Sequence, residues 1–290
     1  MQDYLQDFER YLKDEKHRAE NTLLSYMRDV NQFGRFIGKP LAEAKRVNID
    51  DYMSSLNAHG KSQATVTRSV ASLKCFYQYL VKIGAVAANP VSGITLQRTE
   101  RKLPQVLTSK EVDLLLEQPK CTDIKGYRDR AMLELLYATG IRVSELVALN
   151  TSDVNLSAHF IRCHSGTRER VVPLYEAAVR SLSDYMLLAR PKLTASPAQE
   201  ALFLNLTGER MSRQGFWKII KHYQASSNIH KEITPHTLRH SFAAHLLENG
   251  MDVHSLQEIM GHSDISSTQV YVTLVNRHLR DAYSRAHPKA

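Results

Sequence analysis

Apolar side chains recur at three- and four-residue intervals through the first 80 or so positions, which confines that stretch to amphipathic helices packed on one another. Tyr4, Leu5, Phe8, Tyr11 and Leu12 mark the first. Asn21 and Thr22 offer caps for a second, whose stripe runs from Leu23 to Ile37 and ends at Gly38-Lys39-Pro40. A third is expected from Asn48 to Ala58, and a fourth from Ser62 through Val66, Val70, Leu73, Phe76 and Leu80, closing before Gly84. Four helices with short connections predict a small bundle.

The period breaks between Asn89-Pro90 and Lys102-Leu103-Pro104, where prolines, Gly93 and a charged run read as an extended linker. Beyond it, Ser109 is expected to cap a helix to Leu116, and Gly126–Ala138 forms another that stops at Thr139-Gly140. Residues 153–174 change character. Val154, Phe160, Ile161, Val171 and Val172 around Ser165-Gly166-Thr167 read as short strands with a tight turn. Helices resume near Glu176, Ser212, Thr234, Val253 and Ile265. The expected fold class is mainly α with a small β insertion. It divides into a helical domain at 1–88, a linker at 89–105 and a mixed α/β domain at 106–290.

The net charge of +8 points to a polyanionic partner, most often nucleic acid, although many basic proteins bind none. About +3 lies in residues 1–97 and the rest follows, so the excess is not a basic tail. Three distant cysteines, Cys75, Cys121 and Cys163, argue against a disulfide framework and a thiolate zinc site. No apolar run approaches the ~20 residues of a membrane helix, and the polar start is unlike a signal peptide. A cytoplasmic protein is the expectation.

Three segments concentrate basic and nucleophilic groups. In the first, Arg142 follows Gly140-Ile141, with Glu145 placed to orient it; a surface ion pair is the plainer alternative. In the second, Thr234 caps a helix, Pro235 suits its first position, and His236 and Arg239 share a face near a helix N-terminus that favours phosphate. His236 and His240 have metal-pair spacing, but Arg239 is a poor neighbour for a cation and no acidic residue lies between them. The third runs from Met260-Gly261-His262 to Tyr271, with Ser263 or Asp264 as helix cap; alone, such a tyrosine is an ordinary helical residue.

Taken in order, Arg142, His236-x-x-Arg239 and His262 followed nine residues later by Tyr271 resemble the tyrosine recombinase (phage integrase) family, with most similarity to its bacterial Xer branch. The likeness extends to Asn21–Asp29, to Ser69–Tyr77 and to Tyr283–Pro288. It implies a SAM-like helical core-binding domain followed by a catalytic domain, double-stranded DNA as partner, and a homotetramer or a heterotetramer with a second recombinase. It also implies that Tyr271 attacks a phosphodiester to leave a 3′-phosphotyrosyl link. Arg142 and Arg239 would hold the nonbridging oxygens, His236 would assist the tyrosine's proton, and His262 would donate to the phosphate. Because the covalent link conserves the phosphodiester's energy, no cofactor and no metal is expected. Arg68 and Lys74 are the candidate DNA contacts of the first domain, with solvated helix faces as the alternative.

Within the family, chromosome- or plasmid-dimer resolution is the expected role, with integration or excision of a mobile element as the rival. One position departs from the pattern: Ser165 stands where the family places a lysine that protonates the departing oxygen. His164 and Arg168 are the candidate substitutes, and a catalytically weak DNA-binding homologue is the reading from another class.

Overall fold

The computed structural model describes residues 4–94, 104–165, 168–194, 196, 198–261 and 267–275. The chain forms two units, divided between Arg101 and Lys102.

The first unit is a helical bundle. Helix α1 (Tyr4–Arg10) runs on through a π turn to Glu15, followed by α2 (Glu20–Ile37), α3 (Arg46–Ala58) and α4 (Gln63–Lys82). The second helix begins before the expected Asn21 and Thr22 caps: Ala19 occupies the N-cap with no side-chain bond. The core is aromatic. Phe8 meets Phe76 edge to face at 5.1 Å, and Phe33, Leu73, Tyr77 and Leu80 are fully buried around them. Helix α2 also buries Asp29, whose charge is offset by a two-point pair with Arg68 (3.0 and 2.9 Å) and a bond from Ser72 at 2.8 Å. Residues 89–94, read from sequence as the start of the linker, fold onto this bundle. Val91 is buried, Ile94 packs against the same core, and Asn89 donates to the Lys74 carbonyl at 3.0 Å.

The second unit is built around α6 (Ile124–Thr139), preceded by α5 (Ser109–Leu116). Thr108, one residue before the expected Ser109, caps α5 in a capping box with Glu111. Helix α6 is buried on nearly every side, so it lacks the polar stripe of a surface helix. Its buried charges are paired: Arg128 with Asp129 at 2.8 Å, and Glu134 with Arg130 at 3.0 Å and the Tyr175 hydroxyl. The helix stops at Gly140, which has φ +57° and lies against the Phe242 ring. Only a glycine fits there, because a side chain would face both the left-handed backbone and that ring.

After α7 (Val143–Ala148) comes a three-stranded antiparallel sheet, β1 (Val154–Asn155), β2 (Phe160–Ser165) and β3 (Arg168–Pro173), in the order β1-β2-β3. Cys163 pairs with Arg170, and Ser165 with Arg168. Successive side chains alternate between faces, so buried Ile161 and Cys163 share a face while Arg162 and His164 take the other. Helices α8 (Glu176–Asp184), α9 (Arg190–Leu193), α10 (Arg213–Ser226), α11 (Pro235–Glu248) and α12 (Val253–Met260) complete the unit, with residues 267–275 helical beyond them. Mainly helical content with one small sheet is the expected class. Among the described residues no helix is long and apolar enough to cross a membrane.

Candidate active site

Arg142 lies two residues past the α6 stop and forms the N-cap of α7. Its backbone N–H donates to Glu145 at 2.7 Å, its Nη1 reaches the same carboxylate at 3.4 Å, and its Nη2 donates to the Gly261 carbonyl at 3.3 Å. Glu145 is only 5% exposed, so this is not the surface ion pair considered as the alternative. A second arginine holds the same group. Arg170 on β3 donates to both Glu145 oxygens, at 2.8 and 3.1 Å, and to the Ile259 carbonyl at 2.8 Å. Burial raises the Glu145 carboxyl pKa, but Arg170 and the Arg142 backbone pull it further down, leaving it below the ordinary range.

Helix α11 carries Arg239. As expected, Thr234 caps it by accepting from the Thr237 N–H, and Pro235 takes the first position. Arg239 is buried and donates to two backbone carbonyls, Gly140 at the end of α6 and Met260 at the end of α12 (2.8 Å). Burial and the nearby charge of Arg142 push its guanidinium down to about 10. Arg142, Arg170 and Arg239 thus meet with Glu145 as the carboxylate bonded to the first two, which leaves a surplus of positive charge suited to an anion.

Tyr271, on the 267–275 helix, is 2% exposed and packs with Phe242, Leu256 and Met260. Burial raises its phenol above 10, while the charges of Arg239 and Arg142 pull in the opposite direction. Its hydroxyl lies 2.8 Å from Nδ1 of His240, one residue after Arg239. Burial, His236 and Arg239 together push His240 down to about 4, so its imidazole is neutral at physiological pH.

The structure therefore brings Arg142, Arg239 and Tyr271 together. His236 is exposed, one turn before His240 with ring centroids 6.3 Å apart, and its imidazole forms no hydrogen bond among the described residues. His262 lies outside the described residues. Two participants escaped the sequence reading. His240 was weighed only as a metal partner of His236, and Arg170 was seen only as part of a strand. Their signals, a histidine beside the arginine and a basic residue facing inward on a strand, acquire meaning only through contacts distant in sequence. Among the described residues no three His, Cys, Asp or Glu side chains converge as metal ligands.

A cavity of about 1090 Å³ opens beside Arg142, lined by Arg168, Arg170, His164, Gln257 and Gly261 among others. His164, on the opposite strand face from Cys163 and Arg170, is engaged by Asp153 at 3.1 Å and approaches Glu169 at 3.7 Å. The side chain of Arg168, directly across from Ser165 in the ladder, has no hydrogen bond or ion pair among the described residues. In the first unit Lys74 is exposed, and Arg68 is held by Asp29 with its side chain 44% exposed.

Comparison with known proteins gives the same picture along the whole chain. Residues 105–278 match the phage integrase family, and residues 5–84 match the phage integrase N-terminal SAM-like domain. The chain is 43% identical to tyrosine recombinase XerD of Oceanobacillus iheyensis over 99% of its own length and 98% of that protein. It is 39% identical to tyrosine recombinase XerD of Halalkalibacterium halodurans over the same shares. Among solved structures, XerA recombinase covers 98% of each chain at 28% identity with a TM-score of 0.56. The fold also resembles XerH site-specific recombinase, solved bound to its difH substrate after cleavage, with a TM-score of 0.75 at 22% identity over 97% of this chain and 84% of that one. Two matched domains, full-length relatives at about 40% identity and two arginines gathered at a buried tyrosine lead to one conclusion: the chain belongs to the phage integrase family of tyrosine recombinases.

Proposed function

We propose that this protein is a Xer-type site-specific DNA recombinase in which Tyr271 is the nucleophile and Arg142 and Arg239 hold the scissile phosphate. The observation that carries the reading is the placement of a buried phenol within the field of two arginines that are themselves anchored to backbone carbonyls. Attack of the phenol oxygen on phosphorus adds negative charge to the nonbridging oxygens. Guanidinium groups already fixed in place stabilise that charge without reorganising. The P–O5′ bond breaks as the Oη–P bond forms, giving a 3′-phosphotyrosyl link and a free 5′-hydroxyl. The reverse attack by the 5′-hydroxyl of another strand rejoins the DNA. Repetition in pairs passes through a Holliday junction within a tetramer, composed of this chain alone or with a second recombinase.

In this reading His262 donates to the same phosphate. The bundle serves as the core-binding domain, with the 1–88, 89–105 and 106–290 division moved so that residues 89–94 belong to the bundle. Lys74 is the better DNA contact of that domain, because two donors of Arg68 are already committed to Asp29. The cell compartment is the cytoplasm, and dimer resolution rather than integration is the role. The relatives at 39–43% identity bear the name XerD, which supports that choice.

The test is adduct formation. Duplexes recovered from a random pool by binding to the chain are end-labelled and incubated with it, then resolved on a denaturing gel. Wild type forms a covalent protein–DNA band and Tyr271→Phe forms none. Tight binding without a band from wild type overturns the enzymatic reading in favour of a DNA-binding homologue.

A further inference from the structure

We propose that His240 accepts the phenolic proton of Tyr271 as it attacks the phosphate, and returns that proton when the strand is rejoined. The inference rests on Tyr271 being the nucleophile. It differs from the family-based expectation, which gave the tyrosine's proton to His236.

Geometry is the first support. Nδ1 of His240 lies 2.8 Å from the Tyr271 hydroxyl, within the range in which a proton passes directly between heavy atoms. The rings lie 5.5 Å apart with planes at 49°, so the contact is made edge to hydroxyl rather than by stacking. His236 stands one turn earlier on α11, exposed, and its ring faces that of His240 rather than the phenol. Adjacent placement on the helix also matters. Arg239 and His240 are consecutive, so the turn that carries one phosphate-holding cation carries the proton acceptor as well.

Electrostatics supplies the second support. Among the described residues, the charged and titratable groups around His240 are His236 and Arg239 on its own helix and Tyr271 across from it, with Arg142 beyond the phenol. Burial and those positive neighbours keep the imidazole neutral, so it arrives at the reaction with an open lone pair. With the imidazole neutral and the phenol protonated, the tautomer that carries its N–H on Nε2 leaves the Nδ1 lone pair to accept from the hydroxyl. Without DNA, a proton on His240 would add a further positive charge beside Arg239. A phosphodiester seated between Arg142 and Arg239 brings a negative charge that offsets this repulsion. The acceptor is therefore strengthened by the substrate itself, and the tyrosine is activated only where there is a phosphate to attack.

The step balances. The Oη–P bond forms while the Oη–H proton passes to Nδ1. The P–O5′ bond breaks with its electron pair left on O5′, which takes a proton from water or from a hairpin side chain. In rejoining, the 5′-hydroxyl returns its proton to water or to that hairpin side chain as it attacks phosphorus, Oη leaves, and imidazolium restores its proton.

The experiment measures single-turnover adduct formation by the full chain on a nicked duplex of the selected sequence, from pH 6 to pH 9. His240→Asn places a hydrogen-bonding atom near the position of Nδ1 but is not a base at these pH values. His240→Phe keeps the ring and removes both nitrogens. Thermal melting and gel-shift affinity verify that each variant folds and binds DNA. Both variants are expected to bind normally and to form adduct about 10²-fold more slowly at neutral pH, the usual contribution of a general base. Their rates should climb about tenfold per pH unit, because only pre-ionised phenolate then attacks, while the wild-type rate changes far less. Added imidazole should restore part of the rate to His240→Ala. A His240→Asn rate equal to wild type, or a His240→Phe rate within about threefold of it, sinks the proposal while leaving Tyr271 as nucleophile. So does a slowed variant with an unchanged pH profile and no response to imidazole, which assigns His240 a positioning role only. No wild-type adduct at any pH overturns both readings together.

Discussion

Arg170 and Glu145 form a two-point ion pair across α7 and β3, at 2.8 and 3.1 Å, with side chains only 13% and 5% exposed. Arg142 leans on the same carboxylate, and Arg170 also reaches the last turn of α12 through the Ile259 carbonyl. One carboxylate therefore sets the position of Arg142, the arginine proposed to hold the phosphate, relative to the end of α12. Removing either partner leaves a buried charge uncompensated, which is more costly than never having had the pair.

Glu145→Gln should accordingly lower unfolding free energy by about 3–5 kcal/mol, read from urea denaturation. Adduct formation should fall as well, because Arg142 loses the charged oxygen that orients it. A stability within about 0.5 kcal/mol of wild type would show that Arg170 finds other partners.

Acid should act through two groups, in sequence. His240 has a folded pKa near 4, below the ordinary value, so the unfolded chain binds its proton first as pH falls. Stability contributed by keeping it neutral is complete above about 6.5 and declines down to about 4. Glu145 is depressed below the ordinary carboxylate value, so its contribution is complete above about 4.3 and is lost at lower pH. Melting temperatures from pH 7 to pH 3 should fall in both windows. His240→Phe should flatten the upper window and Glu145→Gln the lower.

Gly140→Ala tests the α6 stop. The residue has φ +57°, and a Cβ there would lie 2.2 Å from the Phe242 ring, while its carbonyl accepts from Arg239. The left-handed backbone alone costs an alanine about 1–2 kcal/mol, and the overlap with Phe242 adds to it. Chemical denaturation should show a loss of at least that size. Among molecules still folded, adduct formation should drop more than DNA affinity, since Arg239 loses its anchor. Equal losses in both would mean that the glycine serves the fold alone.

The hairpin offers a separate test. Ser165 cannot protonate the departing oxygen as a lysine would, and His164 is engaged by Asp153 on the other strand face. Ser165→Lys should speed cleavage of ordinary DNA by roughly tenfold or more. It should leave cleavage unchanged when sulfur replaces the leaving 5′-oxygen, because a thiolate departs without a proton. An equal gain on both substrates would locate the effect in phosphate binding instead.

Much of this architecture was legible in advance. Helical spacing marked the bundle, Thr139-Gly140 marked the stop of α6, and Thr234-Pro235 announced the start of α11, whereas the segment around Arg142 read locally as a surface ion pair as readily as an arginine held at a turn. These features are local, since a helical period, a cap or a left-handed stop involves residues within four positions of one another. Errors at the edges were local too. Thr108 rather than Ser109 caps α5, because adjacent hydroxyl residues offer competing caps of similar strength, and α2 starts at Ala19 with no side-chain cap at all, which no capping signal marks.

The partnerships at the site belong to the tertiary structure alone. His240 and Tyr271 stand 31 residues apart, Arg170 and Glu145 25 apart, and Arg239 reaches a carbonyl 99 residues away. No periodicity connects such positions. Which histidine meets the phenol depends on how α11 lies against the 267–275 helix, and burial then decides their proton affinities. The resemblance to a family's motif marked the residue types that phosphoryl transfer requires; packing chose which of them touch.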